Sequence, residues 1–497
     1  MVYPIKELNK PNVLEFLRSN GIDELTEKSK LSDEKKFVID YIVSHPNENI
    51  FVSGGAGTGK SLLIKTLIEI FKENDILSVS ATTNYAAQNI DSNVKICYNV
   101  FGIGNEVGSL SMEFDDTEIK AKTDFLIDEC SFLSMYSLAA INKRLQQTFN
   151  SDKPFGGKRM ILFGDLLQLE TATHITDTND INFYNDESYI SANFKNFFLD
   201  SNFRQERAED MELLHSIRNG SILFDRERQQ TLYSLEDNEV HDAIILVSDL
   251  NMLNDYDTKF LRKNPNKLYK NCVVIPELYK ANYKNDLAFK VGSPIMFIKK
   301  IKEYNIKNGN FGLITNVFKR VDGQILPINE DDSIESLELV VEAEIEDKEG
   351  KRIVLIDKVA VDDKCPIKQF PFRLGYALMI HKSQGLQFDY GVIDCRDINI
   401  NNQFYVALSR FKNFSRVKLL NFNMNCIKYD RIIQYAMKTL YDAGHFIKGK
   451  VDASTLKIFM LPSQTKHCFE RLNSLLFFNN VNEEKIIPFV EEYIKNN

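Results

Sequence analysis

From residue 31 to about 170 the chain alternates between two hydrophobic rhythms. Short continuous apolar runs (NIFVSG, ILSVSA, DFLIDE, RMILFGD) are separated by longer stretches with apolar positions at helical spacing. Continuous runs suit strands buried on both faces, and the 3.6-residue period suits covering helices, so the pattern predicts a parallel sheet flanked by helices. LSDEKKFVIDYIV, residues 31 to 43, reads as an amphipathic helix with Ser32 at its N-cap and Phe37, Val38, Tyr41 and Ile42 on one apolar face. A second α/β pattern starts near 199 and closes at about 425 in the strand-like FDYGVID and SRVKLL. It is interrupted between 293 and 365, where PIMFIKK, NGNFGLITNV, LELVVEAEI and KRIVLID shorten the rhythm to strands and turns. That change predicts a small β-barrel insert. The expected organisation is therefore a helical lead-in over 1–30, a first domain over 31–198, a second over 199–292 and 366–425, the insert over 293–365, and a helical C-terminal extension over 426–497.

Composition narrows the class. In 497 residues, 43% hydrophobic and 26% charged, no run of about 18 apolar residues exists to span a bilayer. No membrane role is expected. The N-terminus lacks the apolar core of a signal peptide, and seven cysteines form no C-x-x-C pair. These features imply a reducing intracellular compartment, cytoplasm or nucleus, and no zinc. The net charge of −9 argues at first against a nucleic-acid partner, yet residues 329 to 350 hold ten acidic side chains against one lysine. That segment alone accounts for −9, so the near-neutral remainder is free to line a groove with positive charge.

The chemistry is concentrated in FVSGGAGTGKSLLIKTL, residues 51 to 67. Gly54, Gly55, Ala56, Gly57, Thr58, Gly59, Lys60 and Ser61 meet the P-loop spacing, with an apolar strand before and a periodic helix after. Glycines let backbone N–H groups turn toward phosphate oxygens. Lys60 reaches the β/γ-phosphates, and the Ser61 hydroxyl suits Mg²⁺. TDFLIDECSFLS (123 to 134) then sets Asp128 and Glu129 at the end of a strand. Behind a P-loop, such a pair gives one carboxylate to the metal shell and one to the attacking water. PFGGKRMILFGDLLQLE (154 to 170) carries Gln168 after a third strand, and Arg204 lies in LDSNFRQERAEDMELLHSIRNG.

Together with QFPFRLGYALMIHKSQGLQFDYGVIDC (369 to 395) and NNQFYVALSRFKN (401 to 413), these stretches resemble in order and spacing the superfamily 1 DNA helicases of the PIF (petite integration frequency) type and their RecD-like relatives. The resemblance runs from about 31 to 425. It implies two RecA-like P-loop ATPase domains, an SH3-like β-barrel insert in the second, and ATP with Mg²⁺. By the same resemblance Asp128 and Ser61 hold Mg²⁺, Glu129 is the base, and Gln168 senses the γ-phosphate. Arg204 and Arg410 are the expected arginine fingers, and Gln384 and Gly385 close on the nucleotide. Thr82 and Thr83, in ATTNYAAQNI, and His381, Lys382 and Ser383 are the expected contacts to the DNA backbone.

The implied activity is 5′ to 3′ translocation on single-stranded DNA by a core monomer that unwinds tailed duplexes, with a wedge hairpin near 101–120. Two alternatives stay open at this point: a DNA-stimulated ATPase that remodels protein–DNA complexes without separating strands, and a non-catalytic DNA-binding subunit. The sequence also departs from the family pattern. Ile96-Cys97-Tyr98-Asn99-Val100 replaces Thr-x-His-Ser-Phe, Glu170-Thr171 replaces prolines, Gln387 replaces a threonine, and Lys35 stands where the family carries an adenine-reading glutamine.

Overall fold

The computed structural model describes residues 32–91, 93–104, 108–165, 168, 183, 186–199, 204–218, 221–239, 243–272, 286–306, 308–329, 331–333, 337–347, 350–362 and 365–428. The expected lead-in over 1–30, almost all of the extension over 426–497, and Glu170-Thr171 lie outside them. The chain forms two units: 1–224 with 400–409 and 427–497, and 225–399 with 410–426.

The first unit is built on six parallel strands. They are β1 (Ile50–Gly54), β2 (Leu77–Ala81), β3 (Lys95–Ile96), β4 (Asp124–Asp128), β5 (Arg159–Gly164) and β6 (Lys195–Leu199), in the order β3-β2-β4-β5-β1-β6. Every residue of β1, β4 and β5 is buried, as the continuous apolar runs require. Helices Asp33–Ser44, Lys60–Phe71 and Asn84–Ile90 supply Val38, Ile39, Ile42, Leu63, Ile64, Leu67, Ala86 and Ala87 to one core with Val52, Leu126 and Phe163.

The first helix sits differently from its expected face. Its buried positions are Lys35, Val38, Ile39 and Ile42, the i, i+3, i+4, i+7 stripe, whereas Phe37 is 49% exposed. Ser32 occupies the N-cap but makes no side-chain cap bond. The expected boundary at 198/199 also moves to 224/225. Arg218, at the end of helix Ala208–Arg218, binds Asp165 after β5 at 2.8 Å, which ties this stretch to the first sheet.

The second unit contains a four-stranded parallel sheet of β7 (Ile244–Val247), β18 (Ala377–Met379), β19 (Gly391–Asp394) and β20 (Val417–Leu420), ordered β18-β7-β19-β20, with helix Leu250–Lys263 against it. Between β7 and β18 the chain forms hairpin β8 (Leu268–Cys272) with β9 (Asp286–Lys290), and hairpin β15 (Val359–Asp362) with β16 (Cys365–Gln369). It also forms an antiparallel sheet of β10 (Pro294–Phe297), β11 (Phe311–Val321), β12 (Gln324–Pro327), β13 (Glu338–Asp347), β14 (Gly350–Ile356) and β17 (Phe372–Leu374). Its order is β14-β13-β11-β10-β17, with β12 on β11, so β14 and β17 stand at opposite ends of the path. Among the described residues no ladder joins β14 to β17. The insert extends past 365 to β17, and its core also takes in Tyr269, Leu287 and Phe289. In β13, Leu339, Val341, Ala343 and Ile345 face that core, and Glu342, Glu344 and Glu346 alternate with them.

Candidate nucleotide site

The chemistry-bearing residues of the first unit stand where β1, β2, β4 and β5 end. Open parallel sheets bind ligands in the crevice at that carboxyl edge, because the loops and helix N-termini converge there. Between β1 and helix Lys60–Phe71, the P-loop turns through Gly57 (φ +83°) and Gly59 (φ +91°). A Cβ at Gly59 would lie 2.6 Å from Lys35 Cε and 2.9 Å from Lys35 Nζ and displace the end of that side chain, while the left-handed backbone favours glycine.

The loop is held by its own polar groups. Lys60 Nζ donates to Gly54 O at 2.7 Å and Gly55 O at 3.3 Å, and Thr58 Oγ1 donates to Gly55 O at 2.9 Å. The Ala56 N–H donates to the Tyr405 hydroxyl at 3.1 Å. Tyr405 sits on helix Gln403–Leu408, which belongs to the first unit. Lys35 is 1% exposed, and burial lowers its ammonium from the ordinary range, with the charge of Glu34 partly opposing.

β4 ends in an unusual corner. Burial and the adjacent Glu129 charge raise the Asp128 carboxyl to about 7, against an opposing pull from Lys60. That pull ties the two motifs to one locus. Glu129 is left-handed, at φ 52° and ψ 42°, a conformation that costs a non-glycine residue ~1 kcal/mol and persists only where surroundings fix it. Here the Glu129 N–H donates to Asp128 Oδ1 at 2.8 Å, and Glu129 O accepts from the Phe132 N–H at 3.1 Å and from Thr82 Oγ1 at 2.8 Å. Glu129 Oε2 is buried without a hydrogen-bond partner among the described residues. Buried Asp165 and Gln168 follow β5, and the Gln168 N–H donates to Asp165 O at 3.0 Å. Arg204 Nη1 donates to Ser409 O at 2.9 Å, within the same unit.

The other expected residues lie in the second unit. His381, Lys382 and Ser383 fall in the turn Ile380–Ser383 after β18, with Gln384 and Gly385 (φ +82°) next. Burial lowers the His381 imidazole below its ordinary range. Arg410 is buried, with Nη1 toward Ser383 O at 3.4 Å and its carbonyl accepting from the Phe388 N–H at 2.9 Å.

Two of the expected DNA donors have their hydroxyls engaged within the chain. Thr82 is 8% exposed and spends its hydroxyl on Glu129 O; Ser383 is fully buried and donates to Ile380 O at 2.7 Å. Neither hydroxyl faces outward. Thr83 instead caps helix Asn84–Ile90, accepting from the Ala86 N–H. Sequence reasoning missed Tyr405, although it lies inside the quoted YVALSR, and also Arg218, which no motif marks.

Within the stretch expected to hold a hairpin near 101–120, the described residues show one isolated backbone bridge. Ile103 bridges Leu110, and the Gly104 and Ser111 N–H groups donate to Ser109 O and Gly102 O; residues 105–107 lie outside the described ones. Arg144, from helix Met135–Phe149, donates to the carbonyls of Phe101 (2.9 Å), Gly102 (3.2 Å) and Ser111 (2.8 Å) and lies over the Phe114 ring. Met112 stands fully exposed beside it.

Residues 30–227, which hold the P-loop, the β4 corner and this loop, match the family model of the PIF1-like helicases. Over that stretch the chain is similar to the PIF1-like helicases. The ATP-dependent DNA helicase Pif1 of Psychrobacter sp. is 26% identical over 451 residues, covering 78% of this chain and 68% of that one. The Pif1 helicase of Bdellovibrio bacteriovorus is 25% identical over 423 residues, covering 81% and 90%. Among solved structures, Bacteroides Pif1 bound to single-stranded DNA superposes with a TM-score of 0.65 at 23% identity over 83% of this chain and 98% of that one. The Pif1 helicase of Candida albicans gives 0.66 at 21% over 82% and 99%. These likenesses establish the PIF1-like helicase fold, including its RecA-like parallel sheets. Among the described residues no helix is long and apolar enough to cross a membrane, and no His/Cys/Asp/Glu group forms a metal cluster.

Proposed function

We propose that the chain is an ATP-dependent DNA helicase that moves 5′ to 3′ on single-stranded DNA and opens tailed duplexes. The observation that carries this reading is the pairing, at one sheet edge, of the Lys60 loop with an Asp128–Glu129 corner whose second carboxylate is held in a left-handed conformation. A phosphate-binding loop alone would serve any nucleotide. A fixed carboxylate with a buried, unpartnered oxygen beside it serves hydrolysis.

In this reading Lys60 and the loop amides bind the triphosphate of ATP, Glu129 accepts the proton of the attacking water, and Gln168 contacts the terminal phosphate. Arg204 and Arg410 act as arginine fingers on the charge that develops during phosphoryl transfer, and Gln384 and Gly385 close on the nucleotide. The donor set at the corner fits Mg²⁺: Asp128 is buried where a cation would relieve its raised carboxyl, and the Ser61 hydroxyl is exposed beside Lys60. Ser61 and Asp128 would hold the ion, which when bound neutralises phosphate charge. Thr83, His381 and Lys382 remain the proposed backbone contacts to the strand, with His381 acting as a neutral donor. Nucleotide-driven closure of the two RecA-like domains moves a core monomer along the strand, and the Arg144-held loop 101–114 is the wedge.

ATP turnover is measured with and without single-stranded DNA, followed by unwinding of 5′- and 3′-tailed duplexes. The reading expects DNA-stimulated turnover and opening of the 5′-tailed substrate. Stimulated turnover without strand separation would make the chain a remodelling translocase, and no turnover at all would make it a binding subunit.

A further inference from the structure

The Thr82 contact joins two places that the proposed function keeps separate. Thr82 follows β2, where Ala81 pairs with Asp128, and its N–H extends that ladder by donating to Asp128 O at 3.1 Å. Its hydroxyl then reaches one residue further, to Glu129 O at 2.8 Å. The next residue, Thr83, is the N-cap of helix Asn84–Ile90. Two adjacent threonines therefore tie the strained carboxylate corner, on one side, to the start of the 82–90 segment on the other.

We propose that Thr82 is a positioning residue for hydrolysis, holding Glu129 in its left-handed conformation and linking that conformation to a strand engaged on segment 82–90. Glu129 O has two donors. The Phe132 N–H is local to the turn that follows β4, and the Thr82 hydroxyl is the one that comes from another strand. Removing it leaves the local turn intact but frees the corner to relax toward an ordinary backbone conformation, which swings the carboxylate off its line. A shift in the 82–90 segment moves Thr82 with it, because Thr83 fixes the helix to the same backbone. The coupling to DNA rests on the proposed function; the positioning of Glu129 rests on the hydrogen bonds alone.

Thr82→Val keeps the branched shape and deletes the donor, and Thr82→Ser keeps the donor. Turnover by T82V at saturating single-stranded DNA should fall ~10-fold with KM for ATP nearly unchanged, because the interaction acts on the hydrolytic step and the Lys60 loop is untouched. Its ratio of DNA-stimulated to DNA-free turnover should shrink. Its affinity for single strands, read by fluorescence anisotropy, should stay at the wild-type value. T82S should recover most of the lost turnover.

Wild-type turnover of T82V at saturating DNA would overturn the proposal. So would a defect that disappears at saturating DNA and tracks weaker strand binding, since Thr82 would then be a direct DNA contact. A wild-type enzyme that DNA does not stimulate would instead sink the helicase reading, and DNA-free turnover of T82V would still test the positioning. Should T82V fail to fold, hydrogen exchange on the wild type decides. Single-stranded DNA should then raise protection of the amides at 129–132, and unchanged protection overturns the coupling.

Discussion

The β4 corner of the first unit and the antiparallel sheet of the second are both built from strands, yet they spend their residues in opposite ways. In the sheet, the Leu339, Val341, Ala343 and Ile345 face is apolar, and the charged face is laced by exposed pairs such as Lys351–Glu344 and Arg320–Asp357. Among the described residues the sheet's ladder has a bulge in β11 between Ile314 and Asn316, and Asp322 in the turn after β11 is left-handed. At the nucleotide site the balance reverses: Lys35, Lys60 and Asp128 are buried, Glu129 is left-handed, and backbone carbonyls are consumed by side-chain donors. The sheet's departures fall at a turn, a bulge and exposed apolar side chains such as Ile353, whereas those of the nucleotide site fall on buried charged residues that neighbours hold in place.

Four substitutions break or sharpen this contrast. Lys60→Ala should lower ATP turnover ~10³-fold, since the phosphates lose their main point cation, and DNA binding should survive. Turnover within a few-fold of wild type would remove the loop from the chemistry. Gly59→Ala meets both the φ of +91° and the Lys35 side chain. Together these should weaken nucleotide affinity by ~30-fold or more, read by isothermal titration; unchanged affinity would show that the loop readily yields.

Arg144→Ala removes three carbonyl contacts from the 101–114 loop. Unwinding of a 5′-tailed duplex should drop ~10-fold while DNA-stimulated turnover stays close to wild type, because the loop is separate from the hydrolytic groups. Parallel loss of both would make Arg144 a general structural support. The smallest effect belongs to Lys351→Ala on the sheet. Its pair with Glu344 is exposed, so neither turnover nor the thermal midpoint should move measurably. A clear fall in midpoint would show that the charged face carries stability after all.

The legibility of the two regions in the sequence follows the same division. The P-loop and the β4 carboxylates could be read directly because a short contiguous stretch fixes their backbone, and continuous apolar runs announced the parallel strands. Lys35, Thr82 and Ser383 were harder. Sequence position places them correctly, but only tertiary packing turns the Lys35 ammonium onto Gly59 and directs both hydroxyls inward onto carbonyls. Phe37 was expected inward on hydrophobicity alone, and the helix instead buried Ile39, since the stripe through Lys35, Val38 and Ile42 sets its face. The unit boundary and the contacts of Tyr405 and Arg144 depend on pairings distant in sequence, which local periodicity does not encode.

The Tyr405 hydroxyl gives the phosphate loop a resident surrogate. It occupies the Ala56 N–H as Lys60 occupies two carbonyls, so these groups of the loop already have partners within the chain. An arriving phosphate exchanges hydrogen bonds instead of adding them, and a departing one finds its replacement in place. Exchanging bonds rather than adding them reduces the net hydrogen-bond gain from a phosphate at Ala56. Helix Gln403–Leu408, which carries this hydroxyl, ends two residues before Arg410 in the chain.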